Sequence, residues 1–180
     1  MARYVAFLGS INVGGNRLLM ADLREALERE DFAGVETVVA SGNVLFSHEE
    51  RPSDGLAEKL HYILQDRFDI DSMVAVRSRD EVAQAIADNP FAGQNDDNVH
   101  IMFLAEQPCT AQFERLADDH AGRGGERMAL GTLALHIDYA KGVGRSRLTG
   151  DFIERRLGCR GTARNLRSLA RIVEKMDESS

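Results

Sequence analysis

The stretch VETVVASGNVLFS, Val35–Ser47, decides how the first half of the chain is read. Two short β-rich runs, Val35–Ala40 and Val44–Ser47, flank Ser41-Gly42-Asn43, turn formers that join neighbouring strands as a hairpin. Upstream, Leu19, Leu23, Ala26 and Leu27 recur at helical spacing with charges between them. Before that helix, Arg3–Leu8 (RYVAFL) is almost wholly apolar, as a strand buried on both faces requires. Downstream, Ser53 precedes a helix whose apolar positions are Leu56, Leu60, Ile63 and Leu64, and Ser72–Val76 is again a strand. The order β-α-β-β-α-β is that of the split-βαβ, ferredoxin-like unit.

The pattern then partly recurs. Ser78 and Glu81 form a capping box at the start of a helix that must stop before Asn89-Pro90, since the residue before proline resists the α conformation. Val99–Leu104 is a strand, Thr110–Asp119 a helix carrying Phe113 and Leu116, and Met128–Leu130 with Leu133–Asp138 a hairpin around Gly131-Thr132. Leu148–Leu157 reads as a helix, and a last helix runs from Ala163 with Thr162 as its N-cap. The fold class expected is α+β: two packed ferredoxin-like (β-α-β-β-α-β type) halves, the second incomplete and ending in helices. Residues 1–77 make the first half, 78–97 a connecting helix and loop, and 98–180 the second half with basic C-terminal helices.

The chain has 180 residues, 43% hydrophobic and 28% charged, which excludes collagen-like, disulfide-scaffold and disordered classes. No apolar run approaches the ~20 residues that cross a bilayer, so no membrane partner is expected. Cys109 and Cys159 lack metal or redox spacing and read as reduced thiols, with a cytoplasmic location as the expectation. The net charge of −7 is unevenly spread: residues 1–140 carry −12, residues 141–172 carry +7 and the last eight −2. One C-terminal segment therefore attracts polyanions while the rest repels them.

In that segment, Lys141-Gly142-Val143-Gly144-Arg145-Ser146 sets glycines and cations just before a helix, where exposed N–H groups favour an anion. Along the last helix, Leu166, Leu169, Ala170, Val173 and Met176 share one face, with Arg164, Arg167, Arg171 and Lys175 towards the other. The glycine-rich loop after the first strand keeps Gly9 and Gly14 at P-loop separation. It has Gly15 and Asn16 where the lysine and hydroxyl should stand, so the Mg²⁺–phosphate mechanism is missing, and no dinucleotide fingerprint replaces it. The five histidines show no metal-ligand spacing, so neither metal nor cofactor is expected.

Taken together, Val5–Gly15 (VAFLGSINVGG), Met20-Ala21-Asp22-Leu23-Arg24, Ser41–Phe46 (SGNVLF), Asn89-Pro90-Phe91, Val99–Leu104 and Thr162-Ala163-Arg164-Asn165 resemble the bacterial domain-of-unknown-function family numbered 1697. The resemblance covers essentially the whole chain. It implies a small α+β protein with two ferredoxin-like halves, and brings no reaction with it. Gly9-Ser10 stands where the family pattern usually has Arg-Gly, and Leu166 where it usually has an aromatic. Both departures weaken nucleic-acid binding more than small-anion binding.

Three readings of function follow. The first is a protein that binds a phosphate-bearing ligand, nucleotide or nucleic acid, through Arg145, Ser146, Thr162, Arg164 and Asn165, with Asn12, Gly14 and Gly15 as a second wall. The second is an enzyme on a phosphorylated or acidic metabolite, using His100, His136 or Asp138. The third is an interaction protein whose basic segment pairs with an acidic surface.

Overall fold

The computed structural model describes residues 1–9, 11, 17–40, 42–49, 53–93 and 95–179, with Asp54 described by its backbone alone. The loop residues Ser10, Asn12, Gly14, Gly15 and Asn16, and Ser41 of the hairpin, lie outside the described residues. The chain divides into two units: unit 1 is Met1–Ala83 with Arg171–Ser180, and unit 2 is Gln84–Ala170.

Unit 1 follows the expected order: β1 (Ala2–Leu8), α1 (Met20–Glu28), β2 (Ala33–Thr37), β3 (Asn43–His48), α2 (Ser53–Phe68) and β4 (Val74–Ser78). Its four strands are antiparallel in the order β2-β3-β1-β4. Alternation along β1 sends Tyr4, Ala6 and Leu8 into one core with Leu23 and Leu27 of α1 and Leu56, Leu60 and Leu64 of α2. Each such leucine contributes roughly 1.5–3 kcal/mol through burial, and this one shared core is what pins both helices to the same face of the sheet.

Unit 2 contains β5 (Val99–Leu104), α4 (Thr110–His120), β6 (Arg127–Gly131), β7 (Ala134–Asp138), α5 (Gly150–Leu157) and β8 (Gly161–Asn165). The sheet order is β6-β7-β5-β8. Met102, Leu104, Leu135 and Ile137 pack with Leu116 of α4 and Ile153 and Leu157 of α5. Thr149 caps α5 by accepting from the Phe152 N–H at 3.3 Å, and Gly158, at φ 76°, ends it in the left-handed region that glycine tolerates.

Two helices follow last strands directly. α3 (Arg79–Ala87) starts where β4 stops, with the expected capping box: Ser78 N–H donates to Glu81 at 2.7 Å and Glu81 N–H to Ser78 Oγ at 3.2 Å. α6 (Leu166–Glu178) starts where β8 stops. Its buried residues are Leu166, Leu169, Ile172 and Met176, whereas Ala170 is exposed, so the apolar stripe is offset from the expected one.

The expectation of an incomplete second half is corrected by β8. Residues placed at a helix start are a fourth strand, ordered by antiparallel pairing with β5. The pairing repeats that of unit 1 position for position. Val5 faces Arg77 as Ile101 faces Arg164; Phe7 faces Ala75 as Phe103 faces Thr162; Leu8 faces Val74 as Leu104 faces Gly161. The next residue repeats as well: Gly9 N–H donates to Met73 O at 2.8 Å, and Ala105 N–H to Arg160 O at 2.9 Å. Val74-Ala75-Val76-Arg77-Ser78 and Gly161-Thr162-Ala163-Arg164-Asn165 are thus equivalent strands. Each ends in an arginine followed by a helix-capping side chain. The expected division at 77 and 98 also shifts, since the connecting helix is split at Ala83 and the chain's last ten residues belong to unit 1.

Candidate functional site

Thr162, Ala163 and Arg164 are strand residues, not the start of a helix. Ala163 joins the core beneath the helices of unit 2, so by strand alternation Thr162 and Arg164 point from the other face of the sheet. Thr162 is buried, and Arg164 Nη1 donates to Thr162 Oγ1 at 2.7 Å and to Ala163 O at 2.9 Å. Burial pushes the Arg164 pKa down to about 10. Asn165, not Thr162, caps α6: its Oδ1 accepts from the Ser168 N–H at 2.8 Å. Neither Thr162 nor Arg164 therefore lies in the first turn of the last helix. Arg77, the counterpart of Arg164 in unit 1, is likewise lowered by burial, which makes the pair a feature of the repeated architecture.

Arg145 and Ser146 lie in the loop between β7 and α5. Ser146 N–H closes a turn onto Val143 O at 3.1 Å, and its hydroxyl donates to Glu126 Oε1 at 2.6 Å. The other oxygen of Glu126 meets Nε2 of the buried His120 at 3.1 Å. The Ser146 hydrogen bond, with the smaller help of His120, holds the Glu126 carboxyl below its usual range against the opposing effect of burial. This network fixes the loop, while Lys141, Arg145 and Arg147 stay exposed.

Beside the loop, Phe152 of α5 carries two guanidinium groups: the Arg123 Cζ lies 4.4 Å from the ring centroid and the Arg156 Cζ 3.5 Å. The two cations are therefore less than about 8 Å apart, each drawn to the ring by its quadrupole. Arg123 also reaches Arg147 O at 3.5 Å, and its Nε is buried without a hydrogen-bond partner among the described residues. Phe152 and Arg156 stand one helical turn apart, a spacing visible in the sequence. Arg123 comes from the loop after α4, and nothing local in the sequence links it to Phe152.

Part of the basic segment is neutralised within unit 2. Arg156 pairs with Asp119 at 2.9 Å and Arg167 with Asp97 at 2.5 Å. Arg145 is thus exposed in the loop that the half-buried Ser146 ties to Glu126, whereas Thr162, Arg164 and Asn165 belong to β8 and the cap of α6.

The histidines expected to share a catalytic site are separated by strand alternation. His100 pairs in register with Ile137 and His136 with Ile101, so the two rings leave opposite faces of the sheet. His100 meets the Tyr139 ring edge-on at 5.0 Å, and burial lowers its pKa. Burial also pushes the Tyr139 phenol up to about 12. Burial raises the Asp138 carboxyl, but Arg127, at 2.6 Å, and the Ala140 N–H, at 2.9 Å, together leave the pKa lowered. Among the described residues, no group of three or more His, Cys, Asp or Glu could hold a metal ion. None of the described helices is long and apolar enough to cross a membrane.

Comparison with known proteins fits this architecture. The family described as "Protein of unknown function (DUF1697)" matches residues 1–135. A solved structure of a conserved bacterial protein from Streptococcus pneumoniae superposes with a TM-score of 0.73 at 20% identity, over 97% of this chain and 98% of that one. At that identity the likeness carries the fold. No curated protein matches the chain.

Proposed function

The chain belongs to the DUF1697 family, and from that premise we propose that it binds a phosphate-bearing ligand, a nucleotide or nucleic acid, on the basic surface of unit 2. The observation that carries this reading is the pair of guanidinium groups held on Phe152, next to a fixed loop exposing Lys141, Arg145 and Arg147. Two unit charges about 8 Å apart, the upper bound for this pair, repel by roughly 0.5 kcal/mol in water, and Asp119 offsets part of that repulsion at Arg156. An anion bridging them relieves that repulsion and gains charge-assisted hydrogen bonds. The free thiols of Cys109 and Cys159 support a cytoplasmic setting for this binding.

Labelled single-stranded DNA, RNA and ATP, titrated at two salt concentrations, test the reading. For a single strand, the log–log slope against salt is about −0.7 per phosphate neutralised. Arg147→Gln and Arg123→Gln are expected to weaken binding, and Arg167→Gln, already paired with Asp97, to leave it nearly unchanged. Absence of binding to all three probes at low salt refutes the proposal. The ion pairs of Arg156 and Arg167 favour, as a second reading, internal neutralisation of the basic segment. That reading predicts strong destabilisation by added salt, while the binding surface predicts little.

A further inference from the structure

The Asn89-Pro90-Phe91 element and His136 play no part in the basic surface, yet they build a site of their own. A groove of about 490 Å³ runs along the β6–β7 hairpin, lined by His136, Asp88, Pro90, Gln107, Gly131 and Thr132. His136 is 3% exposed, and its environment fixes which nitrogen carries the proton. Phe91 N–H donates to Asn89 Oδ1 at 2.8 Å, which leaves the Asn89 amide nitrogen as the donor towards His136 Nδ1 at 2.9 Å. Nδ1 must then accept, so the proton sits on Nε2. Burial lowers the His136 pKa, consistent with a neutral ring. Among the described residues, Nε2 has no hydrogen-bond partner.

Gly131 keeps that edge of the ring open. A Cβ at this position would lie 2.7 Å from His136 Nε2 and 3.2 Å from its Cδ2. Gln107 is fixed to the same turn: its Oε1 accepts from Leu133 N–H at 2.5 Å, and its Nε2 donates to Gly131 O at 3.2 Å. At the rim, the Asp88 carboxylate accepts from Gln84 through Oδ1 at 2.8 Å, leaving Oδ2 for a second donor. The groove therefore presents one fixed neutral donor and one carboxylate. An anion meets the repulsion of Asp88, and none of the described lining residues is a cation that would offset it; His136 cannot serve as a base in this state, because Nδ1 is occupied and Nε2 is protonated.

We propose that this groove binds a small uncharged ligand bearing an amide, whose carbonyl oxygen accepts from His136 Nε2–H and whose N–H faces the Asp88 carboxylate. The site does not depend on the phosphate reading. The test is a titration of the isotope-labelled full chain with acetamide, acetate and methylammonium, followed by backbone and histidine NMR. Acetamide is expected to shift the Gly131 and Thr132 amide signals saturably, with acetate and methylammonium at least tenfold weaker and His136 in the Nε2–H tautomer. Gly131→Ala, which fills the ring edge, is expected to abolish the acetamide response. Should that variant lose its folded spectrum, Asn89→Asp at alkaline pH serves instead. A carboxylate there makes Nδ1 the protonated nitrogen, and acetamide affinity is expected to fall at least tenfold. The absence of saturable acetamide shifts, an equal response to acetate or methylammonium, the Nδ1–H tautomer in the wild type, or unchanged acetamide binding in a folded variant overturns the proposal.

Discussion

Replacing Phe152 by leucine asks whether the ring holds Arg123 and Arg156 in place. Two opposing terms set the magnitude. Each cation–π contact contributes about 0.5–1 kcal/mol at a partly exposed site, so the pair contributes about 1–2 kcal/mol. Separating the two cations returns roughly 0.5 kcal/mol of repulsion in water. Leucine keeps most of the apolar contact with the core of unit 2, and lost area adds a further cost of about 1 kcal/mol. The expected net destabilisation of unit 2 is therefore about 1.5–2.5 kcal/mol. Native-state hydrogen exchange at Leu135 and Ile137, in the middle of β7, reads it locally and avoids assuming that a two-unit chain unfolds in one step. A double-mutant cycle with Arg156→Gln isolates one contact, and the expected coupling is about 0.5–1 kcal/mol. Since added salt screens the repulsion between the cations, the net cost of Phe152→Leu should rise with ionic strength. A coupling indistinguishable from zero, or a cost that falls with salt, refutes the account of the ring as an organiser of charge.

Asn165→Ala removes the cap on α6 and should cost about 1 kcal/mol in thermal unfolding, with faster exchange at the Ser168 amide; Thr162→Ala should leave that amide unchanged. Gly161→Ala would set a Cβ 2.7 Å from Met102 Cγ and 2.9 Å from Leu104 Cδ2, so an overpacking cost of about 1–3 kcal/mol is expected in denaturant titration. Gly125→Ala, with nothing within 4 Å, should be close to neutral by the same measurement. Acid titration should lower stability in two stages. His100 and His136 have folded pKa values lowered by burial, so their contribution is present above the ordinary histidine value and is lost as pH falls from there towards the depressed values. The lowered carboxyl of Glu126 contributes above the ordinary carboxylate range and is lost as pH falls through its folded value; Ser146→Ala should move that stage to higher pH.

The alternation of apolar positions and the turn formers made unit 1 legible in the sequence, and the capping box at Ser78–Glu81 placed α3 correctly. β8 escaped because its order comes from a partner some sixty residues away in the chain rather than from local preference. No Gly or Pro separates Arg164 from Leu166, so the helical period of α6 extends smoothly backwards into the strand. The available signal was the likeness of Ala75-Val76-Arg77-Ser78 to Thr162-Ala163-Arg164-Asn165, which becomes persuasive only once the register of β4 is known. The site was half legible for a similar reason. Clustered charge drew attention to Arg145 and its neighbours, but the contacts that fix the surface join residues distant in sequence, as do those between Asn89 and His136. The histidines were legible as residues and not as a pair, since sheet pairing alone decides that His100 and His136 leave opposite faces.

The discontinuity of unit 1 bears on how the chain folds as it is made. Unit 2 is one unbroken segment, Gln84–Ala170, inserted into a unit that opens at Met1 and closes only with Arg171–Ser180. A ribosome that has released residues 1–170 has therefore delivered every residue of the later unit but not of the earlier one. The usual order of synthesis, in which the leading domain finishes first, is reversed, because unit 1 draws on Arg171–Ser180 as well as on the residues before unit 2. A stop codon that removes those residues would leave the inserted unit whole and truncate the unit that was begun first.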